Sequence, residues 1–399
     1  MSDAPRLLVL QALNTAIGCA VYLAFATATG HWTAVGWTPS AIGAAMTAAN
    51  LAYAGLVAQG GRLSDRWGRA RTAILGASVI ASGALAAALL ATPSAALLGC
   101  LAACAGSALF FPGNVGLFSD ARGRDGAPDP PLHRKVSRYN MGWSAGNIAG
   151  FAGAWLLAGL PPAASWALIA SAALACVAVL WRWRRLPPRP PPAAGDRAPH
   201  PALPLLTWMS RGALLILCLG SMAYISLLAR CLAGEGLDPT AAQRLASAAL
   251  LVFAVSYCLA FGLLGRWTGW ILRPRRLVLL QGSLLLAALL VSAVGHSAAP
   301  SAALLCLASA CFGLGFASAY TGSIYYSLRL PEGAARAAAL HETALGIGST
   351  AGPLLAGLSI SQWGDGALGA LGSWLLAVGG AALALQLACL PALARRGAR

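Results

Sequence analysis

The chain has 399 residues, of which 58% are hydrophobic and only 10% are charged, and its formal net charge is +16. A soluble protein needs a far larger charged fraction to cover its surface, so this composition excludes a soluble globular fold. The positive charge does not indicate nucleic acid binding, because the basic residues lie in short segments beside apolar runs rather than in a soluble basic domain.

Twelve apolar stretches are each long enough to cross a hydrocarbon core of roughly 30 Å. We predict helices, because backbone polar groups in lipid must be paired and the Ala-, Gly- and Leu-rich stretches lack the alternating polarity of a membrane barrel. In chain order the predicted spans are 6–29, 40–60, 72–91, 95–119, 138–160, 162–183, 205–232, 240–266, 276–296, 300–328, 338–362 and 367–391. The chain is therefore predicted to be an all-α membrane protein.

The basic residues predict the orientation of these spans, since cytoplasmic loops carry an excess of Lys and Arg. With the N-terminus in the cytoplasm, every Lys and Arg except Arg230 and Arg244 falls on or near the cytoplasmic side. We therefore expect a multi-pass protein of the cytoplasmic (inner) membrane with both termini in the cytoplasm. Membrane lipids are expected partners and nucleic acid is not, because topology and anionic lipid contact account for the charge.

The run from Gly61 to Arg71, between the second and third predicted spans, carries four arginines and one carboxylate, Asp65. The arginines obey the positive-inside rule, but Asp65 serves no purpose under that rule. We therefore favour a gating latch over a purely topological role. Asp65 can face a helix N-terminus or an arginine, while Arg66 and Arg69 can pair with acids at neighbouring helix ends, of which the best local one is Asp120.

A polar, proline-rich tract at 184–204 follows the sixth span and has the composition of a semi-extended linker. It divides the chain into an N-terminal six-helix bundle, 1–183, a cytoplasmic linker, 184–204, and a C-terminal six-helix bundle, 205–399. The two parts match in register at three places: Arg66-Trp67 with Arg266-Trp267, Arg134 with Arg336, and Gly146 and Gly150 with Gly348 and Gly352. Two pseudo-symmetric six-helix bundles are typical of a transporter whose halves rock about a central site.

Twelve spans, a central basic linker and the segment Gly61-Arg62-Leu63-Ser64-Asp65-Arg66-Trp67-Gly68-Arg69 resemble the major facilitator superfamily. The resemblance implies that this loop closes the cytoplasmic side in the outward-open state, through Gly61, Asp65, Arg66, Gly68 and Arg69. The glycine-rich segments of the fifth and eleventh spans also resemble the antiporter motif of exporters in this superfamily. They imply the drug or small-solute exporter-like branch, although Phe151 replaces the proline of that motif and proline appears only as Pro353.

Polar and aromatic residues within the spans predict a substrate cavity, because intramembrane polar groups are costly and usually face the bundle interior. The predicted cavity residues are Asn14, Tyr22, Asn50, Asn114, Trp143, Asn147, Tyr224, Tyr257, Tyr320 and Tyr326. Core packing is the alternative for each aromatic residue, and interhelical hydrogen bonding is the alternative for the asparagines. Together they describe a pocket with many π faces, several amides and little charge, which suits an amphipathic or aromatic organic solute.

Glu342 is the only acid placed within a predicted span, and His341 precedes it. A carboxylate there can bind and release a proton as the halves rock, so these two residues are the candidates for coupling. The alternative is that Glu342 lies in the first turn of the eleventh helix, where an acid complements the helix dipole.

These observations predict a secondary active transporter that exports a small organic solute by alternating access, coupled to protons. An uptake permease or uniporter of the same fold is the alternative, and a non-transporting membrane sensor is a less favoured one. The sequence supplies no clustered His, Asp or Ser set for an enzyme and no phosphate-binding loop. We expect a monomer with no cofactor. We also expect no metal site, since no C-x-x-C motif occurs among the ten cysteines.

Overall fold

The computed structural model describes residues 3–122, 131–184, 200–297, 300–330, 334–362 and 366–397. Within these ranges the chain forms twelve α-helices and no β-strand. The helices are α1 (Asp3–Ala34), α2 (Pro39–Trp67), α3 (Arg69–Leu90), α4 (Pro93–Arg122), α5 (Leu132–Leu157), α6 (Pro162–Trp181), α7 (Leu203–Gly234), α8 (Pro239–Arg266), α9 (Pro274–Gly295), α10 (Ala302–Ser327), α11 (Ala334–Gln362) and α12 (Ala367–Arg395). The predicted fold class, an all-α membrane protein with twelve helices, is confirmed.

Eleven of these described helices are long and apolar enough to cross a membrane, and α5 is the exception. Its 26 residues are sufficient in length, because an α-helix rises about 1.5 Å per residue. Helix α5 is the exception because it is too polar. Arg134, Lys135 and Arg138 lie in its first two turns, and Asn140 and Asn147 are buried farther along. Helix α5 is therefore a polar helix within an apolar bundle.

The helix ends form two groups, for which we use fixed names. The linker end carries the turn between α2 and α3 and the ends of α6 and α7 that flank the linker, whereas the far end carries the turns between α1 and α2 and between α7 and α8. We call α1–α6 the N half and α7–α12 the C half. At the far end α2 and α8 begin alike: Thr38 and Asp238 each cap the first turn by a side-chain hydrogen bond, and each is followed by proline.

The two halves meet along a seam formed by α2 against α11 and α5 against α8. Glycine allows close approach on the α2–α11 side, where Gly43 lies against the carbonyl of Pro353 and Gly357 lies against the backbone of Pro39. Small residues at such positions are how membrane helices pack tightly. The seam is therefore formed largely by backbone contact on this side.

Hydrogen bonds across the seam close the far end. The Ser40 N–H donates to Ser361 Oγ at 3.0 Å, and the Thr47 hydroxyl donates to the Thr350 carbonyl at 2.7 Å. Side chains of the C half also donate to N-half carbonyls there: Arg230 to Trp37, Gln243 to Ala26 and Arg244 to Ala158.

Toward the linker end the two sides of the seam differ. On the α5–α8 side the Ser137 hydroxyl donates to the Phe261 carbonyl at 2.7 Å. On the α2–α11 side, Ala58 and Arg62, which lie about one and two turns beyond the contact residue Ala54, are exposed. Helix α2 thus packs on α11 at the far end and presents an open surface toward the linker end.

We expect Gly43→Leu to destabilise the closed far end, because a side chain at Gly43 would collide with the carbonyl of Pro353. Overpacking of this kind costs about 1–3 kcal/mol, so the variant should unfold at a lower temperature than the wild type. Gly55→Leu is the matched control, since Gly55 lies in the same helix and faces open space. Thermal unfolding followed by tryptophan fluorescence gives the comparison, and equal melting temperatures for the two variants would contradict the packing described for Gly43.

Candidate functional site at the seam between the halves

Glu342 and Tyr53 face each other across the seam near the middle of the bundle. The Tyr53 hydroxyl of α2 donates to Oε2 of Glu342 of α11 at 3.1 Å. Tyr139 of α5 and Tyr320 of α10 lie close enough to interact electrostatically with the same carboxylate. The carboxylate, itself half-buried, is therefore surrounded by phenol groups from both halves.

The position of Glu342 within α11 overturns one sequence-based alternative. Helix α11 begins at Ala334, four residues before the predicted start, and has no acid in its first turn. Glu342 therefore lies in the third turn, and the interpretation that it merely complements the helix dipole is wrong, because that effect is confined to the first turn. The predicted start was too late because the segment Ala334-Ala335-Arg336-Ala337 continues the helix beyond the predicted apolar stretch.

His341 points into the C half rather than across the seam. Its ring is fully buried, Nδ1 lies 2.9 Å from Ser323 Oγ, and Tyr320 packs edge-on against it at 4.7 Å. Adjacent helical residues point about 100° apart, which is why Glu342 reaches the seam while His341 does not. Tyr320 packs against His341 and lies close enough to Glu342 to interact with it electrostatically, so it neighbours both residues.

Arg211 of α7, which the positive-inside pattern groups with the cytoplasmic side, is a buried charge. Only 6% of the residue is exposed, and its Nε donates to Ser327 Oγ at 3.1 Å. It lies close enough to His341 to interact electrostatically. The signal in the sequence is its place inside the apolar run of α7, as the ninth residue of the helix. The buried polar groups beside His341 thus include a permanent positive charge.

An aromatic cluster crosses the seam beside Glu342. The ring of Trp143 of α5 lies 5.6 Å from Tyr257, 5.7 Å from Phe261 and 5.4 Å from Tyr320. Phe316 contacts both Tyr257 and Tyr320. Since Trp143 belongs to the N half and the other rings belong to the C half, movement of the halves would rearrange the cluster. We use the name aromatic cluster for these five residues.

Amide groups accompany the aromatic cluster along one side of α5. Asn147 Nδ2 donates to the Tyr257 hydroxyl at 2.5 Å, while its Oδ1 has no partner among the described residues. Both polar side-chain atoms of Asn140 and the indole N–H of Trp143 also lack a hydrogen-bond partner among the residues that the structure describes. Buried polar atoms are normally paired, so these atoms offer binding sites for water or a solute. Asn140 was not predicted, although its spacing from Trp143 and Asn147 places all three on one side of the helix.

The other predicted residues of the N half lie in its interior. Tyr22 packs edge-on against Phe151 of α5 at 5.3 Å, and Asn14 is buried. Asn50 donates to the Met46 carbonyl of its own helix at 2.8 Å. Asn114 of α4 donates to a carbonyl of α1 at 3.5 Å, which is the interhelical bonding that the sequence left open for the asparagines.

Two predicted tyrosines lie apart from the aromatic cluster, inside the C half. Tyr224 is fully buried, and its hydroxyl lies 2.7 Å from Ser309 Oγ. Tyr326 lies near the linker end, where it packs against Trp270 and accepts a hydrogen bond from the Leu272 N–H at 3.2 Å. Both hydroxyls are satisfied within the half, so neither residue is placed to meet a solute at the seam.

The arginine-rich run is helical almost throughout, with one break at Gly68. Helix α2 continues to Trp67, and α3 begins at Arg69. Gly68 has φ 101°, a conformation that strongly favours glycine. Gly61, by contrast, has no neighbour close enough to require glycine. The motif is therefore a tight helix–helix turn.

The charged members of the motif differ in their contacts. Arg69 Nη1 donates to the Gly116 carbonyl at 2.7 Å, which ties the start of α3 to the end of α4. Asp65 and Arg66 are exposed, and neither forms a salt bridge with a side chain that the structure describes. Asp120 belongs to α4, but its side chain lies outside the described residues.

Metal ligands do not gather anywhere in the described part of the chain, which holds no group of three His, Cys, Asp or Glu residues that could bind an ion. The ten cysteines are free and are fully or partly buried. Their position among apolar side chains is that of small hydrophobic residues.

Comparison with known proteins shows which family and which solved structures share this architecture. The family model described as Major Facilitator Superfamily matches residues 8–353. No curated protein matches the sequence significantly. Among solved structures, a proton-dependent oligopeptide transporter aligns with TM-score 0.74 and 14% identity over 99% of this chain and 100% of its own. The nucleoside transporter NupG aligns with TM-score 0.65 and 16% identity over 98% and 99%. A bacterial homologue of the human lysosomal transporter Spinster, in an inward-facing and occupied conformation, aligns with TM-score 0.66 and 16% identity over 99% and 97%.

Proposed function

The chain belongs to the major facilitator superfamily, and from this premise we propose that it is a secondary active transporter in which Glu342 carries the coupling proton. Family membership makes it a membrane-embedded transporter of small molecules rather than an enzyme. The hydrogen bond between Tyr53 and Glu342 carries the proposal, because it places a titratable carboxylate on the surface where the halves must separate. Ionisable groups inside membrane helices commonly mark ion pathways.

The proposed substrate is a small amphipathic or aromatic organic solute. The aromatic cluster supports this class, since its five rings offer π faces for stacking. The partnerless atoms of Asn140, Trp143 and Asn147 add both donors and acceptors. Such a lining suits a solute that combines a flat apolar body with a few polar groups.

We place the linker end in the cytoplasm of a cell with an inner membrane, following the distribution of arginine. The closed far end then faces outward, and the exposed surface of α2 opens toward the cytoplasm. For the direction of transport we propose efflux in exchange for protons. The glycine-rich segment of α5 supports this direction, because Gly146 and Gly150 pack tightly on α1 in the manner expected of the antiporter-like motif.

Proton-coupled uptake is the second candidate. It is favoured by the departure of Phe151 from the antiporter-like motif. The fold is shared with a proton-dependent oligopeptide transporter and a nucleoside transporter. The identities of 14% and 16% relate the folds and leave the substrate open. A uniporter would share the architecture but would not need Glu342.

Proteoliposomes that contain a pH-sensitive dye distinguish these candidates. A thermal-shift screen of the purified chain against aromatic and amphipathic solutes first selects ligands, which are then added outside the liposomes. Solute entry with alkalinisation of the lumen indicates antiport, acidification indicates uptake by symport, and entry without a pH change indicates a uniporter. We expect alkalinisation. Failure of every stabilising solute to move protons would contradict the proposed coupling.

A further inference from the structure

Three side chains of the C half hold the far end closed by donating to main-chain carbonyls of the N half. Arg230 Nε donates to the Trp37 carbonyl at 2.8 Å, Gln243 Nε2 to the Ala26 carbonyl at 2.9 Å, and Arg244 Nη2 to the Ala158 carbonyl at 3.1 Å. Ala26 lies in the last third of α1, Trp37 follows α1, and Ala158 caps the end of α5. Positive charge is favourable near a helix C-terminus, where the last carbonyls lack helical partners, and this applies to Arg230 at Trp37 and to Arg244 at Ala158.

The carbonyl that Arg230 binds is held in a rigid turn. The Gly36 and Trp37 N–H groups donate back to the Thr33 and Trp32 carbonyls, as in a Schellman motif, and Gly36 has φ 81°. The indoles of Trp32 and Trp37 stack at 5.1 Å with an interplanar angle of 4°. Trp32 is itself anchored to the Pro93 carbonyl at 3.0 Å. Arg230 therefore docks on a preformed acceptor rather than on a loose loop.

The internal repeat shows that only one half supplies these donors. Arg66 and Arg266 are 200 positions apart, and so are the turn glycines Gly36 and Gly236 and the helix caps Thr38 and Asp238. The same spacing aligns the three donors Arg230, Gln243 and Arg244 with Gly30, Gly43 and Ala44. The N half thus has no side-chain donor at any of the three positions.

We propose that Arg230, Gln243 and Arg244 form a one-sided latch that stabilises the state with the far end closed. It is the counterpart of the Asp65 motif, which exists only in the N half because Gly265 occupies the equivalent position. Each half then supplies one latch: an acid at the linker end from the N half, and cationic and amide donors at the far end from the C half. This explains why Arg230 and Arg244 stand outside the positive-inside pattern, since their place is at a helix C-terminus of the opposite half.

The latch can be tested by hydrogen–deuterium exchange of the full chain in lipid nanodiscs, without any substrate. In Arg230→Ala/Arg244→Ala we expect backbone amides around 34–41 to exchange at least about tenfold faster, the size expected for losing hydrogen bonds to a charged group. Amides of the turn at 66–70 should become more protected, because opening of one end accompanies closing of the other. Arg275→Ala is the matched control, since Arg275 is exposed at the linker end.

Protection at the linker end is the readout that separates a latch from a local cap. Faster exchange at 34–41 alone, with 66–70 unchanged, would overturn the proposal, and so would unchanged exchange at both ends. Arg230→Lys keeps a charged donor and should restore part of the wild-type pattern, which guards against a folding defect in the double variant. The inference rests on the alternating access proposed above, but it needs neither solute nor proton gradient, so failure of the flux assay and failure of the latch are distinguishable.

Discussion

Glu342→Gln should reduce proton-driven transport to the level of protein-free liposomes while the protein still binds its solute. Glutamine can accept the hydrogen bond from Tyr53, so the contact across the seam can persist. It cannot take up or release a proton, so binding of the proton and opening of the seam become uncoupled. Solute counterflow without a pH gradient, which needs only binding and reorientation, should continue. Both activities can be measured on the same proteoliposomes: proton-driven transport by the change in lumenal pH, and binding with reorientation by solute counterflow.

Glu235→Gln is the control for this substitution, since it makes the same chemical change at the far end, where Glu235 accepts the Leu368 N–H at 2.9 Å. Its proton-driven transport should resemble that of the wild type. The proton-driven transport of Tyr53→Phe should lie between those of Glu342→Gln and Glu235→Gln, because this substitution removes one hydrogen bond and leaves the Glu342 carboxylate. If Glu342→Gln alkalinised the lumen as the wild type does, Glu342 would not carry the proton, and the transport cycle would need another titratable group.

The fold was predictable because the membrane restricts the choices. Apolar length, the linker and the repeat lead to twelve helices, and the observed ends extend beyond several predicted spans by a few residues. The polar helix α5 is informative, since its hydropathy is too low for an independent span. It was recognised because its apolar part lies between two clear spans. What hydropathy alone cannot give is which helices form the seam.

The candidate site was predictable only in part, because helix rotation in Ala-, Leu- and Gly-rich spans is weakly specified by sequence. Trp143, Tyr257 and Tyr320 come together with Glu342, whereas Tyr224 and Tyr326 turn into the C half. That a residue is aromatic does not show which way its side chain points, so in the sequence all five residues qualify equally as cavity residues. The orientation of each side chain depends on residues of the neighbouring helices, such as Ser309, which pairs with Tyr224.

Asp65→Asn should slow transport by weakening the closed linker end, for which the α2–α11 register gives the reason. Gly43 meets Pro353, Thr47 meets Thr350, and farther along Gly346 meets the α2 backbone two turns later. Continued to the linker end, this antiparallel register brings Asp65 opposite the first turn of α11, which begins at Ala334. A carboxylate at a helix N-terminus stabilises it by about 0.3–2 kcal/mol. The state with the linker end closed should lose that amount in the variant.

The loss corresponds to a decrease in transport rate of about twofold to thirtyfold if closing of the linker end limits the cycle. Insertion, topology and far-end contacts should be unchanged, because Asp65 is exposed in the state described, where α2 and α11 are apart at this end. Asp65→Glu should retain most of the rate, and Arg71→Gln, which alters an exposed charge of the same run, should act as the neutral control. The initial rate of solute flux is the measurement, with hydrogen–deuterium exchange at 66–70 as its structural counterpart. A normal rate together with unaltered exchange would remove the gating role of Asp65 and leave the arginines of this run with topology alone.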